Sequence, residues 1–266
     1  MAETYPLTKE QIIFFKKNGF IKLKNVFSPG AVLKLRAELI NLLKKEFNID
    51  PDKGAHERFL SLEMTWLNNT LLRAFVLSPR LGQISADLLG VPAIRLYHDN
   101  VLAKQAGCGR TPWHYDDQHF PLDTNDVVTA WIPAQPTPVE MGPLSFAYPL
   151  EVHKLVNAVK FEKAGAGYDR GVSEVFAKND VTINETPFEL GEVSFHHNLN
   201  FHTASSNRTN RSRVALANTY YRDGARVVNA PTMVSGDWQK FMPNVKPGDI
   251  AVSPLNPICW PVKDKP

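Results

Sequence analysis

From Ala93 onward the chain is cut into short β-rich runs, at residues 94–104, 127–132, 181–183, 192–201 and 213–222, that alternate with proline and glycine turns. A single run of this length cannot bury an apolar face alone, and many such strands separated by turn signals pack as a sandwich or a barrel. No internal repeat and no low-complexity segment breaks the pattern. The expectation is a mainly β fold with flanking helices.

Residues 7–90 read mainly as helix. Thr8 and Gln11 have the spacing of a capping box ahead of Ile12, Ile13, Phe14 and Phe15. Gly19 ends that helix, and residues 20–26 alternate like a short strand. Ser28-Pro29 starts a second helix carrying Leu33, Leu35, Leu39, Leu42, Leu43 and Phe47, and Ser78-Pro79 starts another that stops at Gly90. Residues 48–58 are polar and read as loop. Residues 160–180, with Gly165, Gly167 and Gly171, read as a long loop or insertion, either an active-site lid or plain surface. Seven prolines mark the stretch from Pro231 to Pro266, yet Trp238, Phe241, Leu255, Ile258 and Trp260 need burial, so ordered irregular chain is expected there. The whole reads as one domain, 1–266: a helical part to about residue 92, a β core over about 93–222 and a proline-rich tail over 223–266.

Composition narrows the function. Net charge is only +3 and the basic residues are scattered, which argues against a nucleic-acid partner. No apolar run approaches the roughly 18 residues of a membrane span. The first residues carry no apolar signal region, and Asp264-Lys265-Pro266 is not a peroxisomal address. Two cysteines, Cys108 and Cys259, do not make a disulfide framework and read as free buried thiols. A cytoplasmic protein with a small-molecule partner is expected; oligomeric state is not legible.

Chemistry concentrates at Thr111-Pro-Trp-His-Tyr-Asp-Asp117. His114 and Asp116 form an H-x-D pair, and residues two apart on a strand point to one face. Alone the pair is a weak signal. Downstream, His202 follows a strand-like run and Arg213 comes eleven residues later. Two histidines and one carboxylate on one face, leaving metal positions open, form the ligand set of non-haem Fe(II) oxygenases.

With Trp113-His-Tyr-Asp116, Val128-Thr-Ala-Trp-Ile132, Met141-Gly-Pro-Leu144 and the run Gly191-Glu-Val-Ser-Phe-His-His-Asn-Leu-Asn-Phe-His-Thr203 before Arg213, residues 10–222 resemble the phytanoyl-CoA dioxygenase family. The phrase Ser253-Pro-Leu-Asn-Pro257 is similar too. The resemblance implies a double-stranded β-helix, the jelly-roll or cupin-like fold, and an oxygenase dependent on Fe(II), 2-oxoglutarate and O2 that releases succinate and CO2. It implies that His114, Asp116 and His202 hold the iron and act as the catalytic centre. Arg213 would bind the far carboxylate of 2-oxoglutarate through a permanently charged fork, on a strand neighbouring that of His202. Trp131 would line the same pocket, as would Asn100. Two places depart from the family: Ala204 stands where a small hydroxyl residue is frequent, with Ser205 beside it, and His153 lies where Pro-Gly-Ser-His is frequent and reads as structural.

His196 and His197 read as strand histidines, one of them a satisfied core residue. His56, His98 and His119 have no motif around them, Asp117 reads as a solvated acid, and Tyr115 and Gln118 could face the substrate. Asp116 disfavours halogenation, since halogenating relatives lack the carboxylate. Two alternatives stay open: a zinc hydrolase on the same three ligands, which has no need of Arg213, and a sensor that keeps the site without turnover. The breadth of the family it resembles implies a metabolite of specialised metabolism rather than an acyl-CoA as substrate, reacting by hydroxylation, desaturation or rearrangement, and no clustered basic site for CoA phosphates is present.

Overall fold

The computed structural model describes residues 4–54, 56–160, 167–229 and 237–261. The three helices marked by start and stop signals in the sequence begin and end where those signals place them. Helix α1 (Lys9–Asn18) carries the Thr8/Gln11 capping box and ends at Gly19 in the left-handed conformation, with φ 75°. Strand β1 (Phe20–Leu23) follows, then α2 (Pro29–Phe47), capped by the Ser28 side chain. Strand β2 (Phe59–Glu63), α3 (Thr70–Val76) and α4 (Pro79–Leu89) complete this part. Strands β3 (Ile94–Lys104), β4 (Thr111–His114), β5 (Val127–Pro133) and β6 (Leu144–Tyr148) come next, then helices α5 (Val152–Val156) and α6 (Gly167–Lys178). The chain closes with β7 (Thr182–Asn184), β8 (Val193–His197), β9 (His202–Ala204), β10 (Arg213–Arg222) and β11 (Ile258–Trp260).

Two antiparallel sheets result. The larger runs β1-β8-β5-β10-β3, with β11 and β2 sharing the free edge of β3, and the smaller runs β4-β9-β6-β7. Alternation gives the larger sheet two different faces. Its outer face presents Ile21, Leu23, Val101, Ala103, Val128, Ala130, Ile132, Val193, Phe195, Val214 and Leu216 to α1–α4. Helix α2 meets this face with Val32, Leu35, Leu39 and Leu43, all fully buried; each such side chain stabilises the packing by about 1.5–3 kcal/mol. The inner face meets the smaller sheet through Phe20, Trp131, Ala215 and Ala217 against Leu144, Phe146 and Ala204. This is a double-stranded β-helix with a helical layer on one side, the fold class expected.

Three local expectations change. Residues 160–180 are not simply loop: from Gly167 they form α6, whose Tyr168, Val172 and Phe176 are buried, while Gly165 lies outside the described residues. The run 192–201 does not continue to His202. It stops at His197, turns, and reappears as β9 in the other sheet. His202 and Arg213 are therefore on facing sheets, not on neighbouring strands, because the turn over 205–212 crosses the gap between the layers. Trp238 and Phe241 are buried in a cluster with Tyr97, Phe120 and Tyr221, and β11 ties residues 258–260 to β3, as the apolar tail residues required; Pro231 and Pro266 lie outside the described residues.

Candidate metal centre

His114 and His202 are directly opposite each other across the β4–β9 ladder, with ring centroids 4.3 Å apart. Asp116 joins them from just beyond the strand: β4 ends at His114, and Asp116 opens a short 3-10 turn held by its own N–H and that of Asp117, both donating to the Asn198 carbonyl. The turn, rather than simple strand alternation, brings the carboxylate back beside the imidazoles. The Nε2 atoms of His114 and His202 stand 3.7 and 3.9 Å from Asp116 Oδ1. One donor atom from each of the three residues lies within 4.8 Å of the others.

The donors are in the chemical state a metal requires. His114 Nδ1 is 2.8 Å from the Pro112 carbonyl, and His202 Nδ1 is 3.0 Å from that of Asn200. Each Nδ1–H donates to a carbonyl, which leaves the Nε2 lone pairs facing the centre. Burial pushes the pKa of both imidazoles down, His202 strongly, so both are neutral ligands at physiological pH. Burial alone would raise the Asp116 carboxyl, but His202, His196 and His114 around it outweigh that and hold it well below the usual carboxylate range. Two neutral nitrogens and one anionic oxygen fit a divalent metal with positions left open.

Arg213 is fully buried on the inner face of β10. Its Nη1 donates to the Gly142 carbonyl at 2.9 Å, its Nε has no partner among the described residues, and its guanidinium lies 5.2 Å from the Trp131 ring centre. Gly142 has φ 71°, and a side chain there would collide with the Ser205 carbonyl. Trp131 and Asn100 face each other's strands through Ala217, so both belong to the inner face between the metal cluster and Arg213. Asn100 accepts from the Ser61 hydroxyl at 2.8 Å. Ala204 is buried, and the neighbouring Ser205 hydroxyl turns away to Glu185 at 2.9 Å.

Other sequence candidates fall elsewhere. His153 binds the Leu150 carbonyl at 2.8 Å, His197 accepts from the Leu199 N–H, and Gln118 donates to the Tyr115 hydroxyl at 2.9 Å. Asp117 accepts from the Asn198 amide. Two inner-face residues were not singled out by sequence reasoning. Lys104 is fully buried opposite Arg213. His196, read above with His197 as a strand histidine, places Nε2 3.3 Å from Asp116 Oδ2. The signal for His196 was available: Val193 and Phe195 belong outside, so Ser194 and His196 must point in.

The comparisons agree with this architecture. The phytanoyl-CoA dioxygenase family profile matches residues 15–215. The peroxisomal phytanoyl-CoA dioxygenases of Rattus norvegicus and Bos taurus are each 23% identical, over 80% and 83% of this chain and 68% and 72% of theirs. Among solved structures, the non-haem α-ketoglutarate-dependent carbocyclase SnoK of nogalamycin biosynthesis is similar at 25% identity with a TM-score of 0.74, covering 95% of this chain and 96% of its own. EctD from S. alaskensis, solved with 2-oxoglutarate and 5-hydroxyectoine, shares the fold at 17% identity and a TM-score of 0.68, over 85% and 80% of the two chains. Because the profile spans well over half of the residues, and the facing sheets carry its motifs in order, this chain belongs to the phytanoyl-CoA dioxygenase family.

Proposed function

We propose that the chain is an Fe(II)- and 2-oxoglutarate-dependent oxygenase that hydroxylates, desaturates or rearranges a small-molecule metabolite, working as one domain over 1–266. His114, Asp116 and His202 would hold the iron, and Arg213, Trp131 and Asn100 would form the co-substrate pocket. Bound there, Fe(II) supplies, with O2 and 2-oxoglutarate, the oxidising power for C–H cleavage, the co-substrate leaving as succinate and CO2. The protein's part is orientation and exclusion of water: the backbone carbonyls of Pro112 and Asn200 fix the imidazoles, and Arg213 fixes the far end of the dianion.

One observation carries this reading over the zinc hydrolase. Lys104 and Arg213, two buried cations, lie on the inner face, and among the described residues neither has a carboxylate partner. Buried charge of one sign is costly until an anion compensates it. A hydrolase using a metal-bound water has no use for such a pair, whereas a dicarboxylate anchored at the metal by one end presents its other end to it. Substrates of specialised metabolism are supported by the nogalamycin enzymes among the structural relatives. Two free cysteines suit the cytosol as the compartment we infer.

The test is an anaerobic titration of 2-oxoglutarate into Fe(II)-loaded protein, followed by the metal-to-ligand charge-transfer band. A saturable band, with succinate formed on adding O2 and substrate, is expected. A protein that binds iron but never develops the band is better read as a hydrolase or sensor.

A further inference from the structure

The Asp116 carboxylate is divided between two sets of imidazoles. His114 and His202 both face Oδ1, at 3.7 and 3.9 Å, while His196 faces Oδ2 at 3.3 Å. His196 comes from the opposite sheet, on the inward row of β8, between Phe20 and Thr129 on the neighbouring strands. It is fully enclosed, its ring centroid 4.5 Å from that of His202 and 5.8 Å from that of Phe146. The donor atoms that converge within 4.8 Å are those of His114, Asp116 and His202, so His196 stands outside the ligand group.

Its hydrogen bonding argues against a merely structural residue. To meet an ionised oxygen, Nε2 must carry the proton, which leaves Nδ1 as a lone pair; among the described residues that Nδ1 is buried without a partner. A buried acceptor left unpaired is destabilising. His114 and His202 direct Nδ1 to backbone carbonyls, whereas among the described residues the His196 ring has its polar contact with the carboxylate. The same connection from β8 to β9 also supplies the Asn198 carbonyl that holds the Asp116 backbone, and β9 carries His202 itself.

Resting on the reading that these three residues hold a divalent metal, we propose that His196 is a positioning residue that holds Asp116 to one-oxygen coordination. A carboxylate with a free second oxygen can rotate and chelate the metal through both, taking one of the positions that co-substrate and O2 require. A donor fixed on Oδ2 prevents that rotation and pre-sets Oδ1 toward the metal. Outer-shell donors of this kind typically change metal affinity by about 10–100-fold when removed.

The experiment compares the parent, His196→Phe and His196→Gln by Co(II) competition against a chelating dye and by the Co(II) d–d spectrum. Circular dichroism checks folding. Phe keeps the bulk without a donor, and its protein should bind Co(II) about 10–100-fold more weakly, with altered d–d bands. Gln keeps a donor amide and should stay within a few-fold of the parent. A second measurement needs no variant: histidine 1H–15N correlation spectra of the Zn(II)-loaded parent should show His196 protonated on Nε2 and free of metal. An unchanged affinity and spectrum in His196→Phe overturns the proposal, as does a His196 ring that is metal-bound or protonated on Nδ1. A parent that binds no Co(II) overturns the metal-site reading itself, which separates the two failures.

Discussion

Lys104 and Arg213 are directly opposite each other on β3 and β10, two fully buried cations on one rung of the larger sheet. Like charges so placed repel, and burial pulls the guanidinium down to about 10 and the ammonium to about 7. The Lys104 ammonium donates to the Ala204 and Ser205 carbonyls at 3.1 and 2.8 Å, bridging the two sheets just beyond β9. Among the described residues, carbonyl dipoles and the Trp131 ring compensate this pair and no carboxylate does, so a dianion entering the space would gain charge-assisted bonds.

Removing Arg213 should therefore weaken co-substrate binding more than metal binding. Breaking a desolvated charge pair costs on the order of 3–5 kcal/mol, equivalent to roughly 10²- to 10³-fold in 2-oxoglutarate affinity at about 1.4 kcal/mol per tenfold. Arg213→Lys should recover only part, because a point charge replaces a planar fork. Titrating 2-oxoglutarate into the anaerobic Fe(II) proteins measures this. Equal dissociation constants for parent, Arg213→Lys and Arg213→Ala would place the co-substrate elsewhere.

The depressed Lys104 pKa makes stability depend on pH in a defined direction. In the unfolded chain the ammonium titrates near 10.4, whereas in the native protein it does so at about 7. Between these values the unfolded state holds a proton that the native state does not, so native stability rises with pH in that window. Below pH 7 both states are charged and the full burial cost remains. In urea unfolding at pH 7 and pH 9, the parent should gain on the order of 2 kcal/mol relative to Lys104→Met. A constant difference between the two proteins at both pH values would show that Lys104 is not a depressed, buried amine.

His114→Ala and His202→Ala should each abolish Fe(II) binding while leaving the β-sheet circular dichroism of the parent, since both side chains sit between the layers and outside the main apolar core. Asp116→Gly removes the single anionic donor, so it should bind iron weakly, lose hydroxylation and leave a position that halide could enter. Equilibrium dialysis of iron, with and without chloride, reads all three. Full metal retention by either alanine variant rules out its histidine as a ligand.

Helix α6 braces β4, the strand that carries His114. Tyr168 donates to the Trp113 carbonyl at 2.8 Å, Arg110 pairs with Asp169, and the Trp113 ring stacks on Phe201 while meeting the edge of Phe176. Phe176→Ala should destabilise the protein by about 3 kcal/mol through the cavity it leaves. Because Trp113 immediately precedes His114, metal affinity should fall with it. Chemical denaturation and Co(II) binding on the same samples check both; stability lost with unchanged affinity would mean α6 supports the fold alone.

Local chemistry was readable from the sequence alone. The Thr8/Gln11 box, Ser28 and Gly19 set helix ends because capping involves residues within four positions of each other. The runs 94–104 and 213–222 became β3 and β10 with the same bounds, since eleven and ten residues of β-rich texture are long enough to declare themselves. The residue types of a metal site were equally visible in His114, Asp116, His202 and Arg213. Strands β4 and β9 were not, because four and three residues carry too little periodicity. Strand β2 was absorbed into a helical reading, and the glycines of α6 suggested loop. Which residues meet was decided only by long-range pairing. The turn over 205–212 carries the chain from the smaller sheet to the larger, so His202 and Arg213 lie on opposite sheets. Register places Lys104 on the rung of Arg213 and turns His196, not His197, toward Asp116. Sheet register is a property of strands distant in sequence, and a slip of one residue would reverse every one of these directions.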